Sequence, residues 1–68
     1  MTKQDVTRAL QKYGNFLSVT DTANALGVKR DTARALFLDG LDYITVGRKK
    51  LYLASDVAEK VMQRRING

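Results

Sequence analysis

The feature that most constrains this chain is a glycine, Gly27, which stands four residues after Ala23 between two short segments of helical pattern. Glycine takes a positive φ angle without strain, as a sharp turn between two helices demands. A small residue such as Ala23 lets the second helix cross close to the first, and Val28 can fill the space between them. This spacing predicts a helix-turn-helix over residues 18–39. A helical hairpin of another kind can carry the same residues, so that interpretation stays open at this point.

The residues before this motif predict an accessory helix within residues 1–15. Its apolar residues, which recur at helical spacing, are Val6, Ala9, Leu10 and Tyr13. Gly14 follows as a stop. The simpler interpretation is that this helix completes a core that would otherwise be too small, and the alternative is a face for a partner. Phe16 and Leu17 are then expected to form a short apolar bridge to the motif.

Capping and apolar spacing define the two helices of the motif. Ser18 can cap the first, and Asp21 can return a hydrogen bond to the Ser18 amide, so this helix is expected to begin at about Val19. The second is expected to run from about residue 30 to residue 38. The residues predicted to be buried in the second helix are Ala33, Leu36 and Phe37.

The pattern of apolar and polar residues changes after residue 42. Alternating apolar and polar residues at 43–46 and 51–53, around Gly47 and three cations, predict a β-hairpin over residues 43–53. A final helix is predicted over residues 55–66, opened by Ser55 and Asp56. Its buried stripe is Val57, Ala58, Val61, Met62 and Ile66. The sequence therefore predicts one domain over residues 1–68, mostly α with a small β-hairpin, in the winged helix-turn-helix order α-α-turn-α-β-hairpin-α.

Composition argues against several function classes. The chain has no cysteine or histidine, which removes thiolate metal sites and the commonest general base. Its seven carboxylates are scattered, and both serines precede helical segments as caps. The chain is therefore expected to be no enzyme and to need no cofactor or metal. No apolar run approaches the ~20 residues of a membrane span, and no signal peptide is evident, so a complete cytoplasmic protein associated with the nucleoid is expected.

The charge of the second helix indicates a polyanionic partner. The chain carries a net charge of +5, and the polar face of that helix holds Lys29, Arg30, Thr32 and Arg34. Arg30 and Arg34 lie one turn apart and can each offer a two-pronged donor to guanine, while Thr32 can meet a phosphate or a thymine methyl group. Lys29 occupies the N-cap position without being a good cap, and a phosphate would compensate for it. Asp31 has two open interpretations, a favourable charge at a helix start or an acceptor for cytosine.

The hairpin provides a second basic element. Arg48, Lys49 and Lys50 are expected at its tip, where a phosphate-lined groove could use all three charges. An exposed basic turn can equally be no more than solvated. Two anions, Asp39 and Asp42, are expected in the connector behind the second helix. Double-stranded DNA is the predicted partner.

The pattern resembles the winged helix-turn-helix of the MerR type, including the excisionase-like proteins of phages and conjugative transposons. The matching residues are 16–23, 26–28, Leu36, 40–41, 46–47 and 55–57. The resemblance implies that Lys50 and Tyr52 contact the DNA backbone, although Tyr52 can also be a strand residue that packs on the hairpin. Lys29 departs from the family, which often has a serine there, and the accessory helix is not part of the minimal pattern.

The resemblance also implies a function, with two alternatives. In the first reading the protein is a recombination directionality factor of a mobile element: copies of it bind beside an integrase or recombinase, bend the DNA and favour excision. The second reading is a small transcriptional regulator; since such regulators dimerise through a long C-terminal helix, it is less favoured by the short final helix predicted here. The third is a protein-interaction module whose basic hairpin docks on an acidic partner.

Overall fold

The computed structural model describes residues 2–64, and over these residues the chain is mostly helical with a small three-stranded antiparallel sheet. The helices are α1 (Lys3–Gln11), α2 (Val19–Leu26), α3 (Arg30–Ala33) and α4 (Ala54–Gln63). The strands are β1 (Phe16–Leu17), β2 (Ile44–Val46) and β3 (Lys49–Leu53). A π-helical segment, Arg34–Leu38, continues α3 without a break, and the two together are called the 30–38 helix below. The predicted mostly α class with a β-hairpin is confirmed at this level.

Reciprocal capping fixes the start of α1, and one face of this helix is buried. The Asp5 amide donates to Thr2 Oγ1 at 3.2 Å, and the Thr2 amide donates to Asp5 Oδ2 at 3.1 Å. Val6 and Leu10, one turn apart, are buried, and α1 packs mainly against α4. The prediction that Tyr13 joins this core is wrong, because its side chain lies beyond the end of the helix and is 46% exposed.

The predicted cap and turn around α2 are confirmed. The Asp21 amide donates to Ser18 Oγ at 3.1 Å, and the Ser18 amide donates to Asp21 Oδ2 at 3.4 Å. At the other end Gly27 has a φ of +68°, and the Val28 amide donates to the Ala23 carbonyl at 3.0 Å. This left-handed C-cap turns the chain sharply, so that α3 packs against α2 over the buried Ala23.

The 30–38 helix departs from the predicted burial pattern. Leu36 was expected inside, but its side chain is 37% exposed, whereas Leu38 is 2% exposed and belongs to the core. Phe37 is half-buried. The cause is the π-helical segment, in which hydrogen bonds join residues five apart, so that the inward face passes from Ala33 to Leu38 instead of to Leu36.

The sheet has one strand more than the sequence predicts. Phe16 and Leu17, expected to be a simple bridge, form β1 and pair with Leu53 and Tyr52 of the central strand β3. An apolar dipeptide is too short to show the alternation of a strand, and only its partner far along the chain makes it one. The sheet thereby ties the segment just before α2 to the hairpin.

The hairpin turn is tighter than expected. Only Gly47 and Arg48 lie in the turn, because Val46 already pairs with Lys49, and Thr45 pairs with Lys50. Gly47 has a φ of +62° and Arg48 has a negative φ, as in a type II′ turn. The prediction that all three cations lie at the tip is therefore wrong for two of them, which belong to β3.

The last helix, α4, begins one residue earlier than predicted. It follows β3 directly, with Leu53 at the N-cap position and no side-chain cap, so the prediction that Ser55 caps this helix is wrong. The Ala54 amide donates instead to the Asn15 carbonyl at 2.8 Å. Val57 and Ala58 are buried as predicted, and Val61 and Met62 pack against the core. The predicted extension to Ile66 lies outside the described residues.

The core lies where α1, α4 and the inner face of the sheet meet. Its buried members are Val6, Leu10, Leu17, Leu38, Tyr52, Ala54, Val57 and Ala58. The exposed apolar residues on the outer face of the sheet are Phe16, Ile44, Val46 and Leu53. No helix among residues 2–64 has the length and apolar character that crossing a membrane requires.

Candidate functional site

An open cleft of about 830 Å³ lies between the 30–38 helix and the hairpin. Five cations line it: Arg30, Arg34, Arg48, Lys49 and Lys50. Two come from the helix and three from the hairpin, so two elements distant in sequence contribute to one positive surface. The beginning of α2, at residues 18–21, lines the same cleft.

The helix places its two arginines one turn apart, as predicted. Arg30 is the first residue of α3, and Arg34 follows at the start of the π-helical segment. The Arg34 Nη1 atom lies 3.8 Å from Asp31 Oδ1, and both side chains are well exposed. An exposed ion pair at this distance is weak, so the Arg34 guanidinium can exchange Asp31 for a stronger acceptor.

The hairpin directs its cations to different sides. Side chains alternate along a strand, so Lys50 shares the inner face of the sheet with Tyr52, and Lys49 lies on the outer face. Lys50 therefore extends this inner face beyond the core, towards the cleft. Arg48 occupies the turn.

Tyr52 was expected either to contact phosphate or to pack on the hairpin. It is 6% exposed, belongs to the core and sits opposite Leu17 in the sheet. This environment favours packing as its main role. Tyr52 still borders the cleft, so a contact with DNA stays a prediction.

The other two predicted site residues, Lys29 and Thr32, do not line this cleft. Lys29 lines a second depression, between α2 and the 30–38 helix, which Arg30 and Arg34 also line. As expected, its side chain makes no cap. Thr32 is half-buried and lines neither depression. Its predicted contact with a phosphate or a thymine methyl group therefore gains no support from its position.

One anion lies where the sequence did not suggest it. Asp39, expected behind the second helix together with Asp42, lines the cleft among the cations. It follows the π-helical segment directly, and the extra residue in that turn changes where the connector emerges. Asp21 also borders the cleft, but its carboxylate accepts the Ser18 amide of the helix cap. Among residues 2–64, the cleft has an excess of positive charge, with five cations against two carboxylates.

Tyr43 is a cleft residue that sequence reasoning missed as a site residue. It precedes β2 and is 49% exposed. Its ring lies 5.7 Å from the ring of Tyr52, and Lys50 Nζ lies 4.9 Å from its centroid. The sequence places Tyr43 only as an aromatic residue within the predicted hairpin, where packing is the usual role.

Comparison with known proteins adds no relative: no protein-family model, no curated protein and no solved structure matches the chain. The resemblance to excisionase-like and MerR-type proteins accordingly stays a prediction from its motif residues. Within residues 2–64, no group of three or more acidic, histidine or cysteine side chains is arranged to hold a metal ion.

Proposed function

We propose that the chain is a winged helix-turn-helix protein that binds double-stranded DNA sequence-specifically and catalyses no reaction. The observation that carries this proposal is that five cationic residues, from the 30–38 helix and the hairpin, border one open cleft, although Lys49 lies on the outer face of β3. Cations spread for solubility alone would not be expected to collect between two elements that are distant in sequence. A polyanion with a regular phosphate spacing is the partner that uses such a surface.

In this proposal the 30–38 helix is the recognition helix and enters the major groove with its N-terminal turns. Arg30 and Arg34 each present a guanidinium fork that fits the O6 and N7 acceptors of guanine. The first turn has no side-chain cap at Lys29, so its free backbone amides and the Lys29 ammonium suit a phosphate at the groove edge.

The hairpin is the wing and follows the adjacent backbone or minor groove. Arg48 leads at the turn, while Lys49 and Lys50 lie on opposite faces of β3 and can reach phosphates on either side of it. Contacts of this kind raise affinity for any sequence and carry little sequence information.

We further propose, on the motif resemblance, that the protein is an excisionase-like recombination directionality factor, with an integrase or recombinase and further copies of itself as partners on DNA. This role sets it in the cytoplasm, associated with the nucleoid. DNA bending separates it from a simple regulator. Gel mobility of fragments carrying the site at different positions would reveal a bend, and position-independent mobility would contradict the directionality role.

The division of labour between helix and wing can be tested once a target site has been selected from random duplexes. We expect Arg34→Ala to weaken binding to the selected site roughly tenfold or more, through loss of a base contact worth about 1–3 kcal/mol, with little effect on random DNA. Lys49→Ala is expected to weaken both DNAs by the same, smaller factor, because a phosphate contact ignores sequence.

Affinities measured by fluorescence anisotropy on both duplexes at one salt concentration provide the comparison. Lys12→Ala, an exposed cation outside the cleft, serves as the control and should change neither affinity appreciably. Equal losses for Arg34→Ala and Lys49→Ala on both DNAs would contradict the assigned roles.

A further inference from the structure

Tyr43 lies between the core and Lys50, the wing cation on the inner face of the sheet. Its ring packs at 5.7 Å against the ring of Tyr52, which is itself buried, and carries Lys50 Nζ at 4.9 Å on its face. The order from inside to outside is therefore buried aromatic ring, exposed aromatic ring and ammonium group. A tilted aromatic pair of this kind has a preferred geometry, so the contact with Tyr52 holds the Tyr43 ring in place.

A lysine on a strand ordinarily samples many rotamers, and holding it at one phosphate costs conformational entropy. The face of an aromatic ring attracts the ammonium group, so the lysine side chain samples fewer rotamers before a ligand binds. The ring leaves the positive charge of the lysine in place and covers only one side of its ammonium group. The N–H donors that point away from the ring therefore stay free for a phosphate oxygen.

We propose that Tyr43 is a positioning residue of the DNA interface, which holds Lys50 over the cleft in readiness for a backbone phosphate. This inference rests on the proposed DNA binding and adds a residue to it. Lys49, the neighbour on the opposite face of β3, supplies the comparison: among residues 2–64, Lys50 is the cation that lies over an aromatic ring.

The energetic test is a pair of double-mutant cycles on a random duplex. Tyr43→Leu is expected to weaken binding roughly two- to fivefold, the range of an exposed cation–π contact, and Tyr43→Phe, which keeps the ring face, to stay within about twofold of the native protein. In a Lys50→Met background Tyr43→Leu should cause no further loss. In a Lys49→Met background it should cause its full loss.

Equal losses from Tyr43→Leu in both lysine backgrounds would overturn the inference, because they would mean that the ring acts without Lys50. Thermal unfolding of each variant reports whether it is folded. Replacement of this half-exposed side chain is expected to be tolerated.

A second readout, from NMR, needs no DNA. In the NMR spectrum of the free protein, the ε-methylene protons of Lys50 should be shifted upfield by the Tyr43 ring, whereas those of Lys49 should resonate at ordinary lysine positions. The shift should vanish in Tyr43→Leu and persist in Tyr43→Phe. A Lys50 signal at the ordinary position would overturn the inference. If the free protein shows the shift but binds no DNA, the proposed function fails and the ring contact stands without it.

Discussion

Replacement of Leu38 by alanine is expected to destabilise the protein by about 2–5 kcal/mol, the usual cost of truncating a buried leucine. The Leu38 side chain is 2% exposed and packs in the core, at the end of the π-helical segment. A domain of this size is stable by only about 3–10 kcal/mol, so the loss is a large share of the whole. Urea unfolding followed by circular dichroism would measure the change in the free energy of unfolding.

Leu36→Ala is the matched control, because it makes the same chemical change two residues earlier. Its side chain is 37% exposed, and we expect a loss of at most about 1 kcal/mol. A regular α-helix predicts the opposite order, with Leu36 inside. A larger loss for Leu36→Ala than for Leu38→Ala would therefore contradict the π-helical register.

Removing the charges of the hairpin is expected to have the largest effect on the proposed DNA binding. The triple replacement of Arg48, Lys49 and Lys50 by glutamine should weaken binding to any duplex on the order of 10²-fold near 0.1 M salt. It should also reduce the slope of log affinity against log salt by about 2–3, because each lost phosphate contact releases roughly 0.9 fewer counterions. Titrations at several salt concentrations measure both quantities.

The matched control neutralises the same number and type of charges elsewhere. Arg8, Lys12 and Lys60 lie outside the cleft, and their joint replacement by glutamine also lowers the net charge by three. Screening limits the reach of these charges to about 8–10 Å near physiological salt. We therefore expect the affinity for DNA to fall by at most about threefold and the slope of log affinity against log salt to stay unchanged. Equal effects of the two triple variants would mean that net charge alone, and no particular surface, drives binding.

Features decided by neighbouring residues could be predicted from the sequence. The reciprocal cap between Ser18 and Asp21 involves residues three apart, and the positive φ of Gly27 is a property of glycine itself. The buried residues of α1 and α4 follow the ordinary helical period. In each case the information lies within one turn of the chain.

Features that depend on contacts between distant residues could not be predicted from the sequence. Phe16 and Leu17 become a strand only because β3 offers them hydrogen bonds. The π-helical segment has no local mark in the sequence, since it exchanges one helical hydrogen-bond pattern for another so that Leu38 reaches the core. Ser55 has the residue type of a cap, but β3 runs straight into α4 and leaves no room for one.

The site divides in the same way. The cations of the cleft could be named from their clustering, and the structure brings five of the predicted ones together. The entry of Asp39 into the cleft and the contact of Tyr43 with Lys50 bring together residues that are not neighbours in the sequence. Such placements arise from three-dimensional packing, and residue types alone do not indicate them.

The most direct test of DNA binding is the salt dependence of the native protein's affinity for a random duplex. If Lys29 and the three hairpin cations each contact one phosphate, log affinity should fall linearly with log salt with a slope of about −3 to −4. Between 50 and 200 mM salt this corresponds to a loss on the order of 100-fold. A slope near zero, or no binding even at low salt, would contradict the account.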